Sequence, residues 1–305
     1  MKESDSLRSN TITIRDRAQR SEGSCGISVV IPTCNRSDYL REAVQSALAQ
    51  TVEIREVIVV DDASDSDPRS QLADLGDKVK VHRLPERSGA NVARNLGIEL
   101  ASGRWVALLD DDDIWVPEKT ETQLCAMGVE GETEAEFALK VEACLCIAQD
   151  VGGPADKPRN ISDIAERLRR ENPCGTSGLI ARRALLLAEP FDVMLRRAQD
   201  WDLFVRLAKR GQLMLVEKPL YFRRVGHDRI TTNAMRQTPE ELFATAAAAT
   251  HKHRDWLGEP AYRRRLAIAM LSYISQRERK LRYITAAIRH SGFRVTLGVL
   301  ASKLR

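Results

Sequence analysis

The sequence lacks any signal for secretion or membrane insertion. Its first residues, MKESDSLRSN, contain no apolar segment of the kind found in a secretory signal peptide. No apolar run approaches the roughly 20 residues of a membrane-spanning helix. Its six cysteines form no CxxC pair, so we interpret them as small buried residues in a reducing compartment, not as a disulfide framework or metal site. These absences predict a cytoplasmic protein.

A large net charge is also absent. The formal charge is +4 over 305 residues, of which 43% are hydrophobic and 30% charged, as in a soluble globular protein. We expect no nucleic-acid partner. Basic residues are concentrated in residues 262–305. Two interpretations of the last part, residues 293–305, stay open: it lies on an anionic membrane, at the inner face, or it packs on the rest of the chain.

Short β-branched runs alternate with helical patterns after a polar beginning. Residues 1–25 show no sustained period and are interpreted as a loose, disordered tail. Residues 26–235 predict an α/β domain with a mainly parallel sheet flanked by helices, because strand and helix patterns alternate with short connections. Residues 236–305 predict a C-terminal helical appendage, since apolar residues follow three- and four-residue steps.

Acidic residues directly follow two of the predicted strands. Asp110–Asp113 comes after the apolar run 105–109, and adjacent carboxylates are costly unless a cation neutralises them. Mg²⁺ and Mn²⁺ prefer oxygen ligands and often take one or two carboxylates plus substrate phosphates. An extended chain would put Asp110 and Asp112 on one side. The competing interpretation is a solvated acidic loop.

Three further positions suit substrate chemistry, each with a structural alternative. Asp61 and Asp62 suit hydrogen bonds from a base or ribose, or else a turn or helix cap. Arg94, early in a predicted helix, suits a phosphate, or else lies on the surface. Asp200 suits a general base that activates a hydroxyl, or else complements the helix dipole.

Four ordered motifs and a later acidic motif carry a family resemblance. They are ISVVIPTCNR at 27–36, EVIVVDDAS at 56–64, GANVARNLG at 89–97, ALLDDDDIW at 107–115 and QDWDL from Gln199. Together they resemble the family 2 glycosyltransferases over residues 26–232. The resemblance implies a GT-A type, Rossmann-like fold and an inverting transfer of a sugar from a nucleotide-diphosphate sugar to an acceptor hydroxyl.

The resemblance also implies roles for individual residues. The base is Asp200, although Gln199 stands where the family often has Glu. The metal, Mn²⁺ or Mg²⁺, falls to Asp110 and Asp112, with His227 near the place of a family histidine but at a shifted spacing. The donor-binding residues are Pro32, Thr33, Asn35, Asp61, Asp62, Arg94, Asp110 and Asp111.

The implied partners are a UDP-, GDP- or dTDP-sugar donor and a glycan, lipid-linked or protein acceptor, in the synthesis of a surface polysaccharide or glycoconjugate. Two other functions suit parts of the pattern. A sugar-phosphate nucleotidyltransferase usually has a Gly-rich basic loop after its first strand, where this chain has Pro32–Asn35. A non-enzymatic phospho-receiver domain needs a lysine after a later strand and leaves the motif around Arg94 unexplained.

Overall fold

Eight strands form one sheet within residues 26–129, 141–153, 163–224 and 237–303, which the computed structural model describes. Their order across the sheet is β3-β2-β1-β4-β7-β6-β8-β5. The strands are β1 (Ile27–Thr33), β2 (Ile54–Asp61), β3 (Val79–Arg83), β4 (Trp105–Leu108), β5 (Asp113–Trp115), β6 (Ala143–Asp150), β7 (Ile180–Arg182) and β8 (Leu213–Arg223). The chain moves outward from β1 to β3 and returns on the other side of β1, so the order reverses between β1 and β4.

The half of the sheet formed by β1 to β4 is parallel. Every residue of β1 is buried, and in β2 only Arg55 is exposed. Such continuous burial explains the unbroken β-branched runs, because helices cover both faces of a parallel sheet. Thr33 pairs with Asp61 in register, so the ends of β1 and β2 lie side by side.

The other half of the sheet is mixed, so that four of the strand pairs of the whole sheet are parallel and three are antiparallel. Strand β7 runs antiparallel to both of its neighbours, β4 and β6, and β5 runs antiparallel to β8. Only β6 and β8 pair in parallel there. These directions depend on long-range pairs such as Val106 with Ala181, which local sequence patterns do not specify. The expected α/β class itself is confirmed.

Helices cover the sheet and follow it in the chain. They are α1 (Ser37–Leu48), α2 (Arg69–Leu72), α3 (Ala90–Leu100), α4 (Lys119–Ala126), α5 (Ile164–Arg170), α6 (Arg183–Ala188), α7 (Gln199–Lys209), α8 (Pro239–Lys252), α9 (Arg254–Met270), α10 (Lys280–Ser291) and α11 (Phe293–Lys303). Helix α3 lies very close to β1, because a Cβ on Gly97 would be 2.3 Å from Cγ1 of Val30. Glycine therefore allows the contact that brings the start of α3 to the end of β1.

The C-terminal helices share the main core. Leu257 and Leu266 belong to the same buried cluster as the strands, while α9, α10 and α11 add a smaller cluster around Met270 and Ala287. Helix α8 begins with a capping box, in which Thr238 and Glu241 satisfy each other's backbone N–H groups. The division at residue 235 stays a prediction, and the tail at 1–25 lies outside the described residues. None of the helices described here combines the length and apolarity required to cross a bilayer.

Candidate active site

A cavity of about 860 Å³ lies at the carboxyl ends of β1 and β4, where the strand order reverses. Ligands of open α/β sheets bind at such a switch point. Of the residues predicted from the sequence, those that line the cavity are Pro32, Thr33, Asp62, Arg94, Asp110, Asp111, Asp112 and Asp200. The two acidic clusters and the predicted base therefore face one shared space.

Asp62 holds the loop that precedes α3. Its carboxylate accepts hydrogen bonds from the backbone N–H groups of Ser88 at 2.6 Å and Gly89 at 2.9 Å. Its own N–H donates to the carbonyl of Thr33 at 2.8 Å. Asp62 thus joins the ends of β1 and β2 to the beginning of α3, and it also lines the cavity. Its contact with a donor stays a prediction.

Asn35 and Asp61 are predicted donor contacts that the structure places outside the cavity wall. Asp61 is fully buried, and its carboxylate accepts a hydrogen bond from the backbone N–H of Ser64 at 3.1 Å. Nη1 of Arg83 lies 3.4 Å from the other carboxylate oxygen. Asn35 is exposed, in a left-handed conformation, and its amide bonds the carboxylate of Asp65 at 2.9 Å. These side chains connect the loops after β1 and β2. Their contacts with a donor stay predictions.

The acidic run Asp110–Asp113 turns instead of staying extended. The N–H of Asp113 donates to the carbonyl of Asp110 at 3.1 Å. The alternation argument for Asp110 and Asp112 is therefore wrong, although both line the cavity. Asp110 accepts hydrogen bonds from the hydroxyl of Thr176 at 2.8 and 2.7 Å. Asp112 instead pairs with the guanidinium of Arg36.

Asp111 is a buried carboxyl of this run with a perturbed pKa. Burial raises its pKa to about 7, the neighbouring charges of Asp112 and Asp110 act in the same direction, and the bond from Thr33 opposes them. The Thr33 hydroxyl donates to its carboxylate at 2.7 Å, and Arg36 lies 3.9 Å away. A buried carboxyl whose ionised form is disfavoured is stabilised by a cation. A solvated acidic loop does not explain this burial.

Arg94 is buried, which excludes the surface interpretation. Its guanidinium donates to Asp110 at 2.8 Å and to the side-chain oxygen of Asn91 at 3.3 Å, and it lies 5.4 Å from the ring of Phe191. Arg94 therefore pairs with an acid of the cavity in this structure. Its phosphate contact stays a prediction.

Asp200 lies in the first turn of α7 and faces the cavity. Its carboxylate accepts one hydrogen bond from the backbone N–H of the next residue, Trp201, and one from the side-chain amide of Asn172, each at 2.8 Å. Burial raises its pKa above the usual value, and these two bonds oppose the effect. A carboxylate with a raised pKa is a stronger base, which suits removal of a proton from a hydroxyl.

The acids of the cavity fit a hard divalent cation that is completed by its substrate. The carboxylates of Asp110, Asp111 and Asp112 line the cavity together and offer only oxygen atoms, the ligands that such a cation prefers. Within the described ranges, no group of three or more His, Cys, Asp or Glu side chains converges into a metal site. His227, the other predicted metal ligand, lies outside the described residues.

Sequence reasoning missed the loop that supports the acidic run. Ser177 accepts a hydrogen bond from the N–H of Asp110 at 3.0 Å and donates to Asp113 at 2.7 Å, while Thr176 bonds Asp110. The small residues of segment 174–178, CGTSG, are a signal for such a tight loop, since a Cβ on Gly178 would be 2.6 Å from the carbonyl of Cys146. Nothing local to Arg36 indicated its pairing with Asp112.

The family model and the relatives that this chain resembles are all described as glycosyltransferases. Residues 28–132 match the model described as glycosyl transferase family 2. TuaG of Bacillus subtilis, named as a teichuronic acid biosynthesis glycosyltransferase, is 40% identical over 43% of this chain and 51% of its own length. The Escherichia coli β-1,3-glucosyltransferase WfgD, named for UDP-glucose and GlcNAc-diphosphoundecaprenol, is 34% identical over 33% of this chain and 40% of its own length. The chain thus aligns with about half or less of these relatives.

Solved structures show the same fold over most of the chain. S. aureus TarS 1–349 in complex with UDP-GlcNAc has a TM-score of 0.62 at 21% identity, covering 88% of this chain and 82% of that one. The mannosyltransferase PcManGT of Pyrobaculum calidifontis, solved with GDP-Man and Mn²⁺, has a TM-score of 0.57 at 18% identity, covering 91% and 79%. These similarities confirm the predicted GT-A type fold.

Proposed function

We propose that the chain is an inverting, metal-dependent glycosyltransferase, because residues 28–132 match the model of glycosyl transferase family 2. It would move a sugar from a nucleotide-diphosphate sugar to an acceptor hydroxyl. The observation that carries the proposal is the single cavity in which Asp62, the acids Asp110–Asp112 and Asp200 meet.

In this proposal the donor occupies the part of the cavity at the ends of β1, β2 and β4. Pro32, Thr33 and Asp62 face the nucleoside, and Asp111 and Asp112 lie beside the diphosphate. Bound Mn²⁺ or Mg²⁺, held by Asp112 with Asp110, would neutralise the charge that develops on the leaving diphosphate. The presence of Mn²⁺ with GDP-Man in the structure of PcManGT supports this assignment.

Asp200 acts on the acceptor in this proposal. Its carboxylate oxygen takes the proton of the acceptor hydroxyl as that oxygen attacks the anomeric carbon, and the bond to the diphosphate breaks on the opposite face, which inverts the centre. The hydrogen bonds from Trp201 and Asn172 fix the orientation of the carboxylate. Its raised pKa improves proton transfer.

The relatives suggest which pathway the reaction serves. The names of TuaG and WfgD refer to teichuronic acid and to a lipid diphosphate-linked acceptor, and WfgD uses UDP-glucose. We therefore propose a role in the synthesis of a surface polysaccharide, with a lipid-linked glycan as acceptor and a UDP-sugar as the first donor to test, before GDP- and dTDP-sugars. The site would lie in the cytoplasm, at the inner face of the membrane.

The last helix supports a peripheral membrane contact. Phe293 and Leu297, four residues apart on α11, are 60% and 48% exposed, and Arg294 lies between them in the chain. Exposed apolar residues beside basic ones match an anionic lipid surface. In flotation with liposomes rich in phosphatidylglycerol, the double change Phe293→Ser and Leu297→Ser should reduce binding, whereas Leu187→Ser, at an exposed position on α6, should not. Equal flotation of all three proteins would contradict the contact.

The transfer proposal is tested by a screen of nucleotide sugars for Mn²⁺-dependent release of the nucleoside diphosphate. Asp200→Asn should lower the transfer rate by about 100-fold or more, because the base is lost, while donor binding is kept. Asp112→Ala should weaken metal-dependent donor binding itself. Circular dichroism would confirm that both variants are folded. Wild-type rates in both folded variants would contradict the assigned roles.

The products distinguish the alternative functions. Release of UDP or GDP supports glycosyl transfer, whereas release of pyrophosphate from a sugar phosphate and a nucleoside triphosphate would support the nucleotidyltransferase. Stable phosphorylation of an aspartate by acetyl phosphate, without any binding of nucleotide sugars, would instead support the phospho-receiver domain.

A further inference from the structure

Four arginines line the part of the cavity that the acidic residues do not form. Arg170 ends α5, Arg196 and Arg197 precede α7, and Arg265 lies on the C-terminal helix α9. All four lie outside residues 28–132, the part that matches the family model. They are therefore features of the segments that follow the nucleotide-binding half, where Asp200 also lies.

Arg197 is a half-buried cation that forms no ion pair with any of the described residues. Its Nη1 atom is buried without a hydrogen-bond partner. Burial lowers its pKa, and Arg277 nearby acts in the same direction. The residue between Arg197 and α7 is Ala198, which has a left-handed conformation at φ 55°. This uncommon conformation for a residue with a Cβ sets the path of the chain between Arg197 and Asp200.

Arg265 is the second cation of this group. Its guanidinium carbon lies 3.5 Å from the ring centre of Trp201, and its Nη1 donates to the carbonyl of Leu168 at 3.3 Å. Its Nε atom is buried without a partner. Burial lowers its pKa to about 9, opposed by the negative charge of Asp200. The described carboxylates include none in an ion pair with Arg265, so its positive charge is incompletely compensated.

Half-buried cations that have buried, unpartnered nitrogen atoms and line a substrate cavity are suited to anion recognition. A buried charge is costly unless it is paired, and guanidinium groups match phosphate and carboxylate oxygens. The acidic run and its cation would meet the donor diphosphate. The cations around Asp200 are thus available for the other substrate.

On the basis of the proposed function, we propose that the acceptor carries an anionic group, a phosphate ester or a carboxylate, and that Arg197 and Arg265 bind it beside Asp200. The bound anion would hold the acceptor so that its hydroxyl meets the carboxylate of Asp200. Arg196 and Arg170, which are more exposed, would contribute through longer-range attraction.

The test uses glucose 6-phosphate and glucuronate as anionic probes and glucose as the neutral control, with ligand-observed NMR titration of the full chain. Each titration is repeated with saturating UDP, GDP or dTDP and Mg²⁺. We expect the anionic sugars to bind, glucose not to bind, and the nucleotides to leave this binding in place. Comparing the two anions identifies which of phosphate and carboxylate the site prefers.

Arg197→Gln and Arg265→Gln should each weaken anion binding by about tenfold or more, as expected for loss of a charged hydrogen bond. Arg263→Gln is the matched control, because Arg263 is exposed on the same helix and pairs with Glu259. Arg265→Lys should keep part of the binding, since it retains the charge. If Arg265→Gln does not fold, Arg197→Gln decides.

Three results would overturn the inference: no binding of either anion, loss of anion binding when nucleotide is present, or unchanged binding in the folded glutamine variants. The second would assign the arginines to the donor. Failure of the transferase proposal would look different, because wild-type protein would bind none of the nucleotides with Mg²⁺ while still binding the anionic sugars.

Discussion

Asp202 joins the helix of the proposed base to the C-terminal helices, and replacing it should have a measurable cost. Its carboxylate has no exposed surface. It lies 2.8 Å from Nε2 of His253 and 3.1 Å from Nζ of Lys252, both from the end of α8, and 3.0 Å from Nε of Arg206. The carboxylate of Asp202 is therefore surrounded by one basic side chain from its own helix, α7, and by two from the end of α8.

The pKa of Asp202 sets the size of this effect. Burial alone would raise it, but the bond from His253 and the charges of Arg206 and Lys252 lower it from 3.8 to about 2. Such a change stabilises the native state by about 2 kcal/mol when the carboxyl is ionised. Because the native pKa is below the unfolded one, this stabilisation is complete well above pH 3.8 and is lost as the pH falls towards 2.

Asp202→Asn is therefore expected to lower the free energy of unfolding by about 2 kcal/mol at pH 7 and by about half as much at pH 3. Urea denaturation followed by tryptophan fluorescence at both pH values measures this difference. Asp74→Asn is the control, because Asp74 forms an exposed pair with Arg41 and its loss should change stability little at either pH. A loss in Asp202→Asn that is negligible at pH 7, or equal at both pH values, would refute the reasoning.

Two other changes should alter stability for reasons visible in the fold. Glu56 is buried, and although burial raises its pKa, hydrogen bonds from Lys80, Ser102 and Ser28 lower it to about 2. Glu56→Gln should therefore lower the free energy of unfolding, measured by urea denaturation, by about 3 kcal/mol at pH 7 and by less as the pH falls below 4.5. A loss of stability that is independent of pH would contradict this. Gly97→Ala should lower the free energy of unfolding by about 1–3 kcal/mol through overpacking against Val30, as measured by thermal unfolding. Adding Val30→Ala to the same chain should recover part of this loss. If stability is not recovered, the contact with Val30 is not the cause.

The half of the sheet formed by β1 to β4 could be predicted because its signals are local. Each strand of β1, β2 and β4 is a short buried run that ends at polar residues. Parallel strands align their carboxyl ends, so Thr33, Asp62 and Asp110 had to meet at one edge. The cavity at this edge follows from strand order together with the places where the apolar runs stop.

The other half could not be predicted because its interactions join distant parts of the chain. Thr176 reaches Asp110 across 66 positions, and Asn91 bonds the carbonyl of Leu195 across 104. Lys119 looks like a surface residue in the sequence, yet it is fully buried, with its ammonium 4.2 Å from the ring centre of Trp115 and 2.8 Å from the side-chain oxygen of Gln123. No periodic pattern in the sequence indicates such long-range contacts.

The pairing of Arg94 with Asp110 connects two roles that the sequence suggested separately, phosphate binding and metal binding. The guanidinium occupies a carboxylate oxygen that a cation would use, at 2.8 Å, while Thr176 donates to both oxygens of the same carboxylate. A cation bound by Asp110 therefore competes with Arg94 for negative charge. Arg94 would then be released next to the diphosphate that accompanies the cation. The two residues should consequently act as one unit, in which arrival of the metal-bound donor exchanges an internal ion pair for two contacts with the substrate.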